Sequence, residues 1–359
     1  MLSRFNGVDV QDGTIISLPP ELRDQWRGWG GSTPEAGQSS MRVQVRLDLA
    51  QGGMQGPWLQ EGRAAERSGQ AHEAPLPQGC LYDVDGGYFT LAEMRAHSQA
   101  GRYWLTAAQA GILLVDARGQ CWDLVSFLRA QQDEEVDVQL FLGKKERLAV
   151  RLIAKRVSPE QAKLRRAHAN GLVEGKVKGV QRPNERTRRP PGSQRQRQRK
   201  HRRTGKARLQ VLEWTILITN VPQELLAVEE ALVLARCRWQ IELCWKLWKQ
   251  VGKLDTWRSA NPWRILTEIY AKLLGLLITH WLTLIACWQA PNHSLVKARQ
   301  VVQWMAPVLA LGMAGVVPLE RMVQRTSSSM ASGCTVNARR KKPATYQLID
   351  QPTLIRGLG

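Results

Sequence analysis

Arg238, Glu242 and Lys249 stand four and seven residues apart. In a helix, at roughly 100° per residue, Glu242 lies about 40° round from Arg238 and Lys249 about 20° round. The three side chains therefore project from one narrow face spread along three turns. A carboxylate between two cations suits a site that holds a divalent metal and grips a phosphate backbone. The same spacing also describes a solvated face with an i,i+4 pair between Arg238 and Glu242, and helix geometry alone favours that plainer account. Four aspartates lie in two apolar segments far upstream: Asp9 and Asp12 in Val8-Asp-Val-Gln-Asp-Gly-Thr14, and Asp83 and Asp85 in Gly79-Cys-Leu-Tyr-Asp-Val-Asp-Gly-Gly-Tyr-Phe89.

The composition narrows the partners. Lys and Arg number 51 against 31 Asp and Glu, a formal charge of +20, so a polyanion is expected, nucleic acid before an anionic membrane. Cys80, Cys121, Cys237, Cys244, Cys287 and Cys334 are scattered, without the close pairs of a zinc knuckle or redox motif, and read as free thiols in a reducing cytoplasm. None of the histidines has metal-ligand spacing, and His280 reads as a core residue. Met1 opens onto a polar stretch without a signal-peptide core. The most apolar run, Leu273 to Trp288, falls short of the roughly 20 residues of a membrane span and carries Thr279, His280 and Thr283. A buried core helix is expected there, with no membrane partner. Trp245, Trp248, Trp263 and Trp281 read as packing residues, although Trp245 falls on the face of Arg238 and Glu242.

The elements that must position these residues follow from periodicity. Residues 8–14 read as a strand running into a turn at Asp12-Gly13. Met41, Val43, Val45, Leu47 and Leu49 alternate with polar residues, the signature of a half-buried strand. Residues 50–78, rich in Gly, Gln, Glu and Pro, read as loop. A strand from Gly79 to Phe89, a helix from Leu91 to Ala100 and a strand from Tyr103 to Thr106 follow. Gly111 to Val115, Val136 to Leu142 and Leu148 to Ile153 read as antiparallel strands of an inserted β-rich subdomain. Residues 182–208 are crowded with arginine and broken by Pro190-Pro191, the pattern of a flexible loop. Leu212 to Thr219 is a strand, and helices run on to Cys287 with a break at Asn261-Pro262. The tail after about residue 323 reads as mobile. The expected fold class is α/β.

In this setting the chain resembles the DDE transposases of bacterial insertion sequences, in the group with the Tyr-Arg-Glu-Lys signature (the insertion-sequence-four family). The signature spacing falls on Ala235, Arg238, Glu242 and Lys249, three of its four positions, in the context Arg238-Trp-Gln-Ile-Glu242 and Lys246-Leu-Trp-Lys249. Ile218-Thr-Asn-Val-Pro222 is similar to the family just upstream. Asp85 followed by Gly87, Tyr88 and Phe89 is similar to its second-aspartate strand, and Val10-Gln-Asp-Gly-Thr-Ile-Ile-Ser-Leu-Pro19 to its first, on Asp12. Asp83 shares a sheet face with Asp85, and the Gly-Tyr-Phe context is what selects Asp85. The resemblance covers about residues 8 to 290.

The resemblance implies a ribonuclease-H-like core interrupted by a β-rich insertion before the last catalytic helix. The division is 1–110 for the first part of the core, 111–210 for the insertion, 211–290 for the second part, and 291–359 for a C-terminal helical segment and basic tail. It implies Asp12, Asp85 and Glu242 as catalytic, metal-binding carboxylates for two Mg²⁺ (or Mn²⁺) ions, with Arg238 and Lys249 contacting DNA. The chemistry implied is phosphodiester cleavage at element ends and joining of 3′ ends to target DNA, by a bacterial cytoplasmic protein that is a homodimer on double-stranded DNA. Three departures imply an impaired copy. The first-aspartate strand begins within a dozen residues of Met1, which leaves no room for an N-terminal recognition region. Ala235 replaces the signature tyrosine. Ala107 ends a strand where relatives tend to place arginine. The rival readings are a non-catalytic DNA-binding remnant and a nuclease of the same fold.

Overall fold

A computed structural model describes residues 1–29, 38–109, 111–169, 206–288, 290, 292–339 and 342–358. The first half contains β1 (Val8–Leu18), β2 (Ser39–Asp48), β3 (Met54–Glu61), α1 (Gln70–Glu73), β4 (Leu81–Val84), α2 (Leu91–Gln99) and β5 (Tyr103–Ala107). Next come β6 (Leu113–Val115), β7 (Cys121–Asp123), α3 (Leu124–Ala130), β8 (Glu135–Leu142), β9 (Leu148–Arg156), α4 (Pro159–Ala169), α5 (Lys206–Val211) and β10 (Trp214–Thr219). The chain then becomes helical: α6 (Val228–Cys237), α7 (Trp239–Gln250), α8 (Pro262–Cys287), α9 (Leu295–Met313), α10 (Leu319–Gly333) and α11 (Thr345–Asp350). The expected α/β class holds.

All the described strands belong to one sheet, ordered β3-β2-β1-β4-β5-β10-β9-β8-β6-β7. β1 is antiparallel to β2 and parallel to β4; β4 is parallel to β5; β10 is antiparallel to both β5 and β9. The strands of the β-rich segment thus extend the sheet that carries both aspartate segments. Strand alternation sorts the apolar residues into two cores. Val8, Val10, Leu81, Leu105 and Leu217 face one way, under α6, α7 and α8; Tyr82, Val84, Trp104, Ile216 and Ile218 face the other, with Met94 of α2 and Leu124, Phe127 and Leu128 of α3. Asp12 and Asp83 lie in phase with Val10 and Leu81, on the side that α7 covers.

Several expectations are corrected. β1 does not turn at Asp12-Gly13 but runs unbroken to Leu18, held by β2 pairs from Asp9↔Asp48 to Leu18↔Ser39. β2 is buried on both faces rather than one. The expected loop 50–78 contains β3 and α1 and folds over the polar face of β2. There Arg46 donates to Gln11 Oε1 and to the Ala71, Ala74 and Pro75 carbonyls, while Gln44 donates to the Glu66 carbonyl at 2.7 Å. Burying polar side chains is costly without such partners, so the alternation that mimics a solvent face is a largely hydrogen-bonded interior one, with Arg42 Nε and Gln44 Oε1 left without partners.

The arginine-rich stretch lies outside the described residues from 182 to 205, and only the backbone of its end appears, in α5. The tail expected to be mobile holds most of α10 and α11. Trp263 and Trp281, expected in the core, are 60% and 54% exposed. They lie on α8, which starts at the expected break: Asn261 caps it by accepting from the Trp263 and Arg264 amides, and Pro262 occupies the first turn. α8 is longer than the apolar run suggested and is not a buried helix. By length and composition it could cross a membrane, and only 28% of its apolar window is buried. It packs against α9 and α10 in a third apolar cluster that includes Leu282, Val302, Leu309 and Met322.

Candidate active site

The site is assembled where the ends of β1 and β4 meet α7. Val10 pairs with Asp83 and Gln11 with Val84, so Asp12 and Asp85 follow side by side, one residue beyond the last registered pair. Gly13 keeps this end open to its neighbour strand, since a Cβ there would stand 3.0 Å from Gln44 Cγ. α7 is anchored by Ile241, Trp245 and Trp248, which are buried in the core beneath it, and the two indoles pack edge to face with centroids 5.2 Å apart. That anchoring leaves Glu242, in the first turn, half-exposed towards the strand ends.

Arg238 lies at the junction of α6 and α7, in helical conformation, and its guanidinium is 3.6 Å from the Glu242 carboxylate. Asp12 senses both. Burial, before any other cause, pushes its carboxyl up to about 6; the Gly13 amide and Arg238 oppose this, and the negative charges of Glu66 and Glu242 reinforce it. The structure therefore brings Asp12, Glu242 and Arg238 within electrostatic reach of one another. Asp85 is exposed, and its Oδ1 accepts the Gly86 amide at 2.6 Å, capping a single 3-10 turn from Gly86 to Tyr88. Tyr88 fixes that turn from below: it is buried, and its hydroxyl accepts from Gln44 Nε2 at 3.3 Å.

Lys249, two turns along α7, donates to the Ile15 carbonyl of β1 at 3.0 Å, and partial burial draws its ammonium down from the usual lysine range. It is thus tied to the same strand as Asp12, three residues on. Trp245 is buried, so its position on the Arg238 face serves packing. Among the described residues no group of three or more His, Cys, Asp or Glu side chains is gathered closely enough to hold a metal as placed.

Two acidic residues at the site were not singled out as part of it. Asp83 is 1% exposed, its Oδ2 has no hydrogen-bond partner, and burial raises its carboxyl well above the usual range against the pull of Arg238. It sits beneath the site, where burial favours its uncharged form. Glu66 pairs with Arg42, acts on Asp12, and would meet a Cβ at Gly87 at 3.7 Å from its Oε2. No sequence signal marked it, because it lies in the stretch read as loop.

The central parallel strands of the sheet thus present acidic residues to a helix bearing Arg and Glu, and sequence comparison gives this α/β domain a family. The profile described as the transposase DDE domain matches residues 8–278, and the chain belongs to that family. It is 23% identical over 297 residues to the transposase for insertion sequence element IS231E of Bacillus thuringiensis subsp. finitimus, covering 77% of this chain and 56% of that protein. The IS231C transposase of Bacillus thuringiensis subsp. berliner is 24% identical over 301 residues, and the IS1151 transposase of Clostridium perfringens 18% over 301, with the same coverage of 77% and 56%. The chain thus spans little more than half the length of the curated relatives it matches.

Proposed function

We propose that this chain carries the catalytic centre of an insertion-sequence transposase, which cleaves DNA at element ends and joins the freed 3′ ends to target DNA. The observation that carries the reading is the desolvated Asp12 carboxylate held opposite the Arg238–Glu242 pair, on the first strand of a transposase DDE domain. The order and directions of β1 to β5 support a ribonuclease-H-like core, with β6 to β9 as the insertion. The exposure of Asp85 at the strand end, level with Asp12, supports it over buried Asp83 as the second aspartate.

The donor set fits hard divalent cations. Asp12, Asp85 and Glu242 offer oxygen ligands only, the preference of Mg²⁺ and Mn²⁺, and Asp12 lacks enough positive charge nearby to offset its burial. Two such ions, when bound, would neutralise phosphate charge and assist the attacking and leaving oxygens. The chain's own residues do the rest. Arg238 keeps Glu242 in place and has further N–H groups for a phosphate; Lys249 has two donors beyond the one spent on Ile15. The excess positive charge draws double-stranded DNA, element end and target alike, onto the chain. On this reading the active form is a homodimer on DNA.

A second reading concerns speed. Ala235 is half-buried against the core on α6 in place of the signature tyrosine, and Ala107 ends β5 without the charge that relatives tend to place there, so two groups that could contact phosphate are missing. The copy is then slow, or is a DNA-binding remnant. One assay separates these outcomes. The chain is incubated with DNA bearing the terminal repeats that flank its own coding region, a target plasmid, and Mg²⁺ or Mn²⁺. Joined product supports a transposase, nicks alone a nuclease, and shifted but intact DNA the remnant.

A further inference from the structure

A half-open cavity of about 430 Å³ lies on the far side of α7 from Arg238 and Glu242, lined by β2, α7, α8, α9 and α11. This is the size of a small-molecule site. Its walls are mostly apolar, with Leu47, Leu247, Leu276, Leu284 and Ile349 among them, and no Asp or Glu lines it among the described residues. One full charge does line it. Arg299 of α9 is 7% exposed, and its Nε is buried without a hydrogen-bond partner. Among the described residues Arg299 forms no ion pair. Its guanidinium lies over Gly252, where a Cβ would come within 2.5 Å of Nη2.

An arginine cannot shed its proton to escape burial, and an unpaired buried charge is strongly unfavourable. The other buried arginines among the described residues are held by hydrogen bonds: Arg151 has Asp137 and the Leu226 carbonyl, Arg46 has Gln11 and three carbonyls, and Arg42, although its Nε is also without a partner, has Glu66 and the Gly62 carbonyl. Arg299 is the exception, and it faces a cavity. The two imidazoles in the wall are engaged, His280 with the Gly52 carbonyl and His293 with those of Ala290 and Ala331.

We propose that this cavity binds a small amphipathic monoanion, a medium-chain carboxylate whose head pairs with Arg299 while its tail fills the apolar space. The proposal does not rest on the catalytic reading. The ligand would press on the helix that carries Glu242, since Cys244, Leu247 and Trp248 of α7 line the same space.

The test uses sodium decanoate as the probe, with decanol as its uncharged counterpart, titrated calorimetrically into the full chain. Decanoate should bind at one site, at least tenfold more tightly than decanol. Arg299→Met should bring decanoate down to the level of decanol. Without ligand, Arg299→Met should also raise the urea midpoint, because it removes an unpartnered charge. No decanoate binding at millimolar concentration, or equal binding of decanoate and decanol, overturns the proposal. So does a lowered urea midpoint for Arg299→Met, which would mean that the guanidinium has a partner in the folded chain. The decanoate–decanol comparison is made on the unaltered chain, so it decides the matter even if the variant fails to fold.

Discussion

Asp12→Asn should stabilise this protein while silencing it. Burial and the neighbouring Glu66 and Glu242 raise the Asp12 carboxyl from 3.8 to about 6, so the fold disfavours its charge. The unfolded chain ionises Asp12 near 4; the folded chain holds the proton until near 6. Above pH 6 both states are ionised and the fold carries the full penalty; below pH 4 both are protonated and there is none. At about 1.36 kcal/mol per unit, the penalty is at most roughly 3 kcal/mol, and about 1–3 once solvent screening of a partly exposed group is allowed for. Asparagine keeps the shape and removes the charge. In urea titrations the variant should exceed the parent by about 1–3 kcal/mol at pH 7.5, with the gap closing towards pH 4. Taking the difference between the two proteins cancels the other raised acids, Asp9 and Asp83. Adding Mg²⁺ should stabilise the parent at pH 7.5 and leave the variant unmoved. A variant less stable than its parent at pH 7.5, or a gap of equal size at both pH values, refutes the reasoning.

Other outcomes follow from the same geometry. Asp85→Asn should abolish DNA cleavage, read on a gel, while DNA affinity and its salt dependence stay near those of the parent; equal loss of both would make Asp85 structural. Lys249→Ala should weaken DNA binding uniformly across sequences and lower the slope of log K against log salt by about one, measured by fluorescence anisotropy. Arg151→Met strands Asp137, which now accepts at 2.6 and 2.8 Å from a guanidinium 1% exposed, and should cost about 3–5 kcal/mol in urea unfolding. Restoring Ala235→Tyr together with Ala107→Arg should raise the cleavage rate severalfold under single-turnover conditions, and an unchanged rate removes the case for a slowed copy.

The sequence made some parts of this legible and hid others for definable reasons. Alternation located β2, and the apolar runs located β4, β5 and β10, because burial imposes period two on any strand with a covered face. It could not say that β2 is covered twice, since Arg42, Gln44 and Arg46 look like solvent residues until the segment that binds them is placed. β3 was hidden by Gly56-Pro57 in its middle, residues that normally mark turns. α10 was hidden by its run of hydroxyls. In the fold Thr326 and Ser329 satisfy themselves on carbonyls four residues back, at 2.8 and 2.9 Å, while Met322, Thr326 and Met330 form the buried stripe. At the site, spacing placed Arg238 and Glu242 on one helix face, but only the family resemblance gave that face a role. Glu66 was not legible, because its place depends on a chain reversal that no local pattern encodes.

The position of β10 has a consequence for how the molecule is made. This six-residue strand separates β5 from β9, and its pairing partners precede it by more than 100 residues on one side and about 60 on the other. During synthesis, therefore, two half-sheets wait with facing edges of unpaired amides and carbonyls until residues 214–219 emerge. Edges of that kind recruit whatever strand is nearest. The last strand made is the keystone of the sheet, and a nascent chain stalled just before it is the form most exposed to aggregation and to capture by chaperones.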